Sequence, residues 1–349
     1  MNDDIEAGPA PAPRATPFLK GHQAAVKLFH GAVANKRVHH AWLLSGPKGI
    51  GKATLAFHLA RFLLKAGEGA DPAGDIPLEV SASDPLFVRV ASGAEGNLRV
   101  IERSLNEQTG ALRAEIVVED IRALRAFFEM TAAREGWRVA IIDSADEMNR
   151  SAANALLKML EEPPAKSVLL LVSHAKGRLL PTIRSRCQQV SLNPLGESDV
   201  AAVVKTLFPS LPEKETQELA SLSQGAPGFA VRLAAHGGPK LKALVEGLLS
   251  GKAMGAGAMH ELATALSAKA NEEKYFLFHE LLTRALGDKI RALGTAGNAK
   301  ARLDCWLSLW DNVNRLVGEG EGLSLSRKQI LLLILEEVAA VHASASAAA

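Results

Sequence analysis

Gly46, Gly51 and Lys52 stand in the run SGPKGIGKATLAFHLARFL at the spacing of a Walker A loop, G-x-x-x-x-G-K. Residues of these types in this order gather phosphate. Successive backbone N–H groups and the positive start of a helix face the phosphate oxygens, and the lysine reaches the outer ones. The candidate nucleotide contacts are therefore Gly46, Pro47, Lys48, Gly49, Ile50, Gly51, Lys52, Ala53 and Thr54. One member of the pattern is missing. The position after the lysine ordinarily carries a hydroxyl that binds the magnesium bridging the phosphates, and here it is Ala53. Thr54 lies one residue on, about 100° round a helix, and is a poor substitute.

A second acidic element follows in VAIIDSADEMN, where an apolar run ends in Asp143, suited to the magnesium shell. A glutamate next to it would activate water, but the residue is Ser144. A hydroxyl cannot take a proton from water at neutral pH as a carboxylate does. Asp146 and Glu147 are open to two readings, as replacement bases or as acids leading into the next helix, and the second is preferred.

These loops need a scaffold. From about Pro17 to Leu195 short apolar runs alternate with helix-period segments, which predicts a parallel sheet covered by helices. Ala41 to Leu44, Val139 to Ile142, Val168 to Val172 and Gln189 to Leu192 read as strands. Ile121, Leu124, Phe128 and Thr131 make one buried helical stripe, and Ala153, Leu156, Leu157 and Leu160 another, ended by Pro163 and Pro164. Residues 66–115 read as an irregular insertion carrying one or two short strands. The domains expected are a disordered leader over 1–16, an α/β domain over 17–195, a small helical domain over 196–239 and an all-helical domain over 240–342. A flexible tail over 343–349 would follow. In the last domain Phe276, Leu277, Leu281 and Leu282, and Trp306, Leu309, Trp310, Val313 and Leu316, are the expected core stripes.

Composition excludes several classes. With 48% apolar and 22% charged residues the chain is a folded one, and at a net charge of +2 no global field draws it to nucleic acid or lipid. The basic residues Arg122, Arg125, Arg134 and Arg138 read first as a solvated helix face and second as a phosphate-facing patch. The run Ile330 to Val341 is too short and too charged to span a bilayer, and with two cysteines that have no nearby partner the reducing cytoplasm is the expected compartment. Cys187 and Cys305, the two cysteines, have no zinc or redox spacing, and Cys187 reads as a packed residue. His39 and His40 read as packing or capping residues.

NALLKMLEEPP at Asn154 to Pro164, the triplet Ser185, Arg186 and Cys187, GHQAAV at Gly21 to Val26 and HHAWLLSGPKGIGK at His39 to Lys52 occur in one order. Together they resemble the clamp-loader branch of the AAA+ proteins, which serves bacterial DNA polymerase III. The resemblance covers nearly all of 17–195 and is weaker beyond. It implies an AAA+ P-loop domain with a parallel sheet, a helical lid domain and an all-α collar domain. It implies that Arg186 is a catalytic finger reaching the nucleotide of a neighbouring subunit, and that Ser173 is a soft match to a γ-phosphate sensor. Where active members have a second sensor, an arginine in the turn Gly-x-x-Arg, this chain has Gly225, Ala226, Pro227 and Gly228. Ala53, Ser144 and Gly228 thus remove three hydrolytic elements beside a retained Arg186.

The subunit so implied holds ATP without efficient hydrolysis, with magnesium left open. It carries no zinc, the family's four-cysteine module being absent before Arg186. Its implied partners are gamma/tau and delta subunits in a five-membered ring, and through the ring the beta sliding clamp and primed DNA, with no membrane. Two other readings stand beside this one: an active gamma/tau-like loader ATPase, and a structural adaptor whose P-loop is a relic.

Overall fold

The computed structural model describes residues 11–67, 79–108, 110, 112–129, 136–251, 254–295, 300–323 and 325–347. These divide into two compact units, one running to Val231 and the other beginning at Arg232.

The first unit is built on five strands, β1 (Ala41–Ser45), β2 (Leu98–Ile101), β3 (Arg138–Ile142), β4 (Ser167–Ser173) and β5 (Gln188–Ser191). They pair in parallel in the order β2-β3-β4-β1-β5. Every residue of β1 and β4 is buried, which is why these segments read as unbroken apolar runs: both faces of a parallel sheet are covered by its crossover helices. Those helices are α1 (Gln23–Ala34), α2 (Lys52–Gly67), α3 (Pro85–Ser92), α4 (Val118–Glu129), α5 (Arg150–Glu161) and the short α6 (Pro181–Arg184). One core joins Ile121, Leu124 and Phe128 of α4 with Ala152, Ala153, Leu156 and Leu160 of α5 and Ile142 and Leu171 of the sheet. Leu157 is only partly buried at the edge of its stripe. Asn149 caps α5 by accepting the Ala152 N–H at 2.9 Å, and the helix stops at Glu161 ahead of Pro163 and Pro164. The unit continues through α7 (Glu197–Leu207) and α8 (Glu213–Leu222) into α9 (Pro227–Ala235), within which the division between units falls.

Two expectations are corrected here. The segment 66–115 carries a short strand, as expected, but is not an irregular insertion: it also holds α3, and its strand β2 is an edge strand of the main sheet, paired with β3 from Leu98↔Val139 to Ile101↔Ile142. In β2 Leu98 and Val100 are half-exposed and Ile101 is buried, and the exposed Arg99 interrupts the apolar run that marks the central strands. Residues 68–78, 109 and 111 of the segment lie outside the described residues, as do Thr131 and Arg134. The leader expected over 1–16 is anchored at its end. Arg61, fully buried in α2, donates to the carbonyls of Arg14 and Thr16, each at 3.0 Å, and stacks over Phe87 at 4.8 Å. Residues 1–10 lie outside the described residues.

The second unit is helical: α10 (Gly238–Leu249), α11 (Ala256–Ser267), α12 (Glu272–Thr295), α13 (Lys300–Leu323) and α14 (Arg327–Ala347). Its core takes Leu277, Leu281, Leu282, Trp306, Leu309, Val313 and Leu316, as their spacing predicts. Trp310 is 36% exposed and Phe276 half-buried, both on the flank of their stripes. Arg232 is held by Glu273 and Glu280 of α12, at 2.5 and 3.0 Å. The tail expected at 343–349 is helical through Ala347. No helix among the described residues is long and apolar enough to cross a membrane.

Candidate phosphate site and arginine edge

Parallel strands deliver their carboxyl ends to one edge of the sheet, and ligands of such sheets lie in the crevice there. The loop 46–51 follows β1, Asp143 follows β3 and His174 follows β4, with β4 lying between the other two strands. Ser45 and Ser173 are register partners, and Gly46 N–H donates to the Ser173 carbonyl at 3.3 Å. Gly46 admits no side chain, since a Cβ there would lie 2.5 Å from the Leu192 carbonyl oxygen. Among the described residues no acceptor is taken by the N–H groups of Lys48, Gly49, Ile50 and Gly51. They form the row of donors that an anion needs.

Lys52 is 2% exposed, and its ammonium donates back to the loop carbonyls of Gly46 and Pro47, at 2.7 and 2.5 Å. Burial pulls it down to about 8, against the raising influence of Asp143 and Asp146. Burial, with Glu102 next, pushes the Asp143 carboxyl above its ordinary range, and Lys52 opposes this. Lys48 is exposed and Ile50 buried, while Ala53 and Thr54 are half-buried on the first turn of α2. His22, from the GHQ run, donates through Nε2 to the Ile50 carbonyl at 2.7 Å and so braces the loop from α1's start.

The hydrolytic half of the cleft is committed elsewhere. Ser144, in left-handed backbone at φ 62°, has its Oγ 3.1 Å from His174 Nε2. Burial, then Lys52, pull the His174 imidazole down to about 4, so it is neutral at physiological pH. Both oxygens of Asp146 accept backbone N–H groups, from His174 at 2.9 Å and Ala175 at 3.0 Å. Burial would raise that carboxyl, but these bonds and the nearby Ser173 hydroxyl outweigh it and hold it low. Glu147 lies 3.1 Å from Arg103. Ser173 itself is fully buried at the end of β4.

A magnesium ion here would find the Asp143 carboxylate but a methyl group at Ala53. Among the described residues no group of three or more His, Cys, Asp or Glu is placed to hold a metal. The donor set does not fit a bridging magnesium site of the usual composition. Gly228, the last residue of the turn 225–228, packs directly on the loop: its N–H donates to the Gly49 carbonyl at 2.8 Å. A Cβ at 228 would lie 3.0 Å from that oxygen, close enough that a side chain there would push on the loop.

Arg186 has different partners. It follows α6, half-buried, with Nη2 2.9 Å from Glu161 and Nη1 3.1 Å from the Thr182 carbonyl. Cys187 beside it is buried, its thiol pushed up to about 12 by burial, as suits a packed residue. Arg125 pairs with Glu129 and Arg122 lies 4.0 Å from Glu119, both on the exposed face of α4 as expected first, whereas Arg138 is no part of that face: it begins β3, half-buried, reaching the Phe127 carbonyl and lying over the Phe128 ring. His39 stacks on His40, with its Nδ1 2.8 Å from the Ala41 carbonyl oxygen. The sequence reading missed His174, His22 and Glu161. Each had a local signal: His174 directly follows Ser173, His22 lies in GHQAAV and Glu161 in NALLKMLEEPP, but none of these signals names its partner.

A family model described as "DNA polymerase III, delta subunit" matches residues 21–196, just over half of the chain. DNA polymerase III subunit delta' of Pseudomonas aeruginosa is 39% identical over 210 residues, 60% of each chain. DNA polymerase III subunit delta' of Bacillus subtilis is 32% identical over 170 residues, 49% of this chain and 47% of the relative. The chain thus spans less than two thirds of the length of these relatives. A DNA polymerase III gamma subunit-related protein from Thermotoga maritima superposes with a TM-score of 0.46 at 21% identity, covering 91% of this chain and 99% of its own.

Proposed function

The chain belongs to the DNA polymerase III delta subunit family, and from that membership we propose that it is a delta-prime-type subunit of a bacterial sliding-clamp loader. In this reading it binds nucleotide phosphates at residues 46–54 with little or no turnover. It lends Arg186 to the ATP site of a neighbouring gamma/tau-type subunit. A delta subunit completes the five-membered ring, which loads the beta clamp onto primed DNA in the cytoplasm.

The observation that carries the silent half is the state of the acids beside Asp143. Ser144 replaces the water-activating carboxylate, and Asp146 and Glu147 are held by other groups. Without a poised acceptor the attacking water keeps its proton, and without a hydroxyl at Ala53 the metal loses a ligand. The phosphate donors survive independently of these losses, because they are backbone N–H groups. Retained binding with absent turnover is therefore chemically consistent.

Arg186 supports the other half. A fixed guanidinium offsets the charge that develops on a transferred phosphoryl group, and such a group is worth about 10³ to 10⁵ in rate. In no described contact does Arg186 touch the loop of its own chain.

Two measurements test the reading together. The isolated chain is titrated with ATP while hydrolysis is followed, and binding without turnover above background is expected. Hydrolysis that Lys52→Ala abolishes would instead identify an active motor. In a loader reconstituted with gamma/tau and delta subunits, Arg186→Ala is expected to slow ATP hydrolysis while leaving assembly intact. An unchanged rate would leave only a structural adaptor.

A further inference from the structure

The guanidinium of Arg186 already has partners in the single chain. Its backbone is pinned from both sides by the fully buried Ile183 and the buried Cys187, and its own N–H donates to the Ile183 carbonyl at 3.1 Å. Its side chain bridges two elements: Nη2 meets Glu161, the last residue of α5, and Nη1 donates to Thr182 of α6. A guanidinium has five N–H donors, and these contacts use two, so three stay available to a further acceptor. The Arg186 and Glu161 side chains are 37% and 50% exposed. An ion pair so open to water is weak, so Glu161 can orient the guanidinium without holding it against a more highly charged partner. The carbonyl end of α5 adds partial negative charge at the same place.

We propose that Glu161 is a positioning residue for Arg186, setting the guanidinium in advance for the phosphates of the neighbouring subunit. The proposal rests on the trans-acting role given to Arg186 above. Its benefit is entropic, because a long side chain that is already ordered loses less freedom when the phosphate arrives.

The experiment is a double-mutant cycle in the reconstituted loader, with kcat and KM for ATP measured for Glu161→Ala, Glu161→Gln, Arg186→Ala and the doubles. Glu161→Ala is expected to lower kcat about two- to tenfold at unchanged KM, the size set by one immobilised rotamer-rich side chain. Glu161→Gln keeps an oxygen acceptor and is expected to recover at least half of that loss. In the Arg186→Ala background neither substitution should lower the rate further. A kcat at or above wild type for Glu161→Ala, in a loader that Arg186→Ala slows, would overturn the proposal and leave the finger standing. An equal fall with and without Arg186 would also overturn it, by assigning Glu161 a merely structural part. An Arg186→Ala loader with full activity would remove the finger and this proposal together. Where Glu161→Ala does not assemble, the isosteric Glu161→Gln decides through the same cycle, with a smaller expected fall.

Discussion

Lys52 and Arg186 are both cations suited to phosphate, and the chain treats them in opposite ways. Lys52 is 2% exposed, turned onto the carbonyls of its own loop and pulled down to about 8 by burial. Arg186 stands at the surface, bound by one carboxylate and one carbonyl, with most of its donors unengaged. A buried cation is answered by groups its own chain supplies, whereas a half-exposed one keeps its charge for something outside. The same contrast holds for the acids. Asp146 spends both oxygens on backbone N–H groups in the cleft, while Glu161 makes one open ion pair.

The largest test of this contrast is Arg186→Ala. Single-turnover hydrolysis at the neighbouring site of a reconstituted loader should fall about 10³-fold or more, with no change in the stability of the isolated chain. A loss of stability with full activity would erase the difference between the two cations.

The Lys52 side is read by pH. In the unfolded chain the ammonium keeps its proton up to about pH 10.5, and in the folded chain only to about 8. Between those values the unfolded state binds more protons, so stability rises with pH, while below pH 8 this slope is absent. Urea unfolding of wild type against Lys52→Met should show a relative gain of up to about 3 kcal/mol from pH 8 to 10.5. A flat difference would mean that Lys52 is as solvated as Arg186.

The next effect concerns the glycine that seals the loop. Gly228→Arg should destabilise the first unit by about 2 kcal/mol through overpacking against Gly49. The urea midpoint measures it, and an unchanged midpoint would show that α9 is not held on the loop. The smallest effect is at the arginine face of α4. Arg125→Ala should change stability by less than about 0.5 kcal/mol, because an exposed pair four residues apart contributes little. A larger loss in thermal or urea unfolding would give this face the weight reserved for Arg186.

The placement of the loop 46–51 between a strand and a helix was legible because the spacing of Gly46, Gly51 and Lys52 is local and needs only those two elements around it. The central strands were legible for a related reason, since burial on both faces leaves an apolar run. Strand β2 was expected only as an unplaced short strand, because an edge strand half open to water carries a mixed pattern that a loop also carries. Residues 12–16 read as leader because alanine and proline give no periodicity. Their anchor, Arg61, lies 45 and 47 residues away along the chain, beyond any local pattern.

The missing chemistry was equally plain in the chain as written. A methyl group at Ala53, a hydroxyl at Ser144 and no side chain at Gly228 are covalent facts that folding does not alter. Folding alone could assign the survivors. Whether Asp146 was free to act as a base depended on the N–H groups of His174 and Ala175, nearly 30 residues away in the chain. That Glu161 and Arg186 meet depended on the end of α5 coming to lie beside α6. Residue type follows from covalent structure, while availability follows from which partners the fold brings within hydrogen-bonding distance, and those lie far apart along the chain.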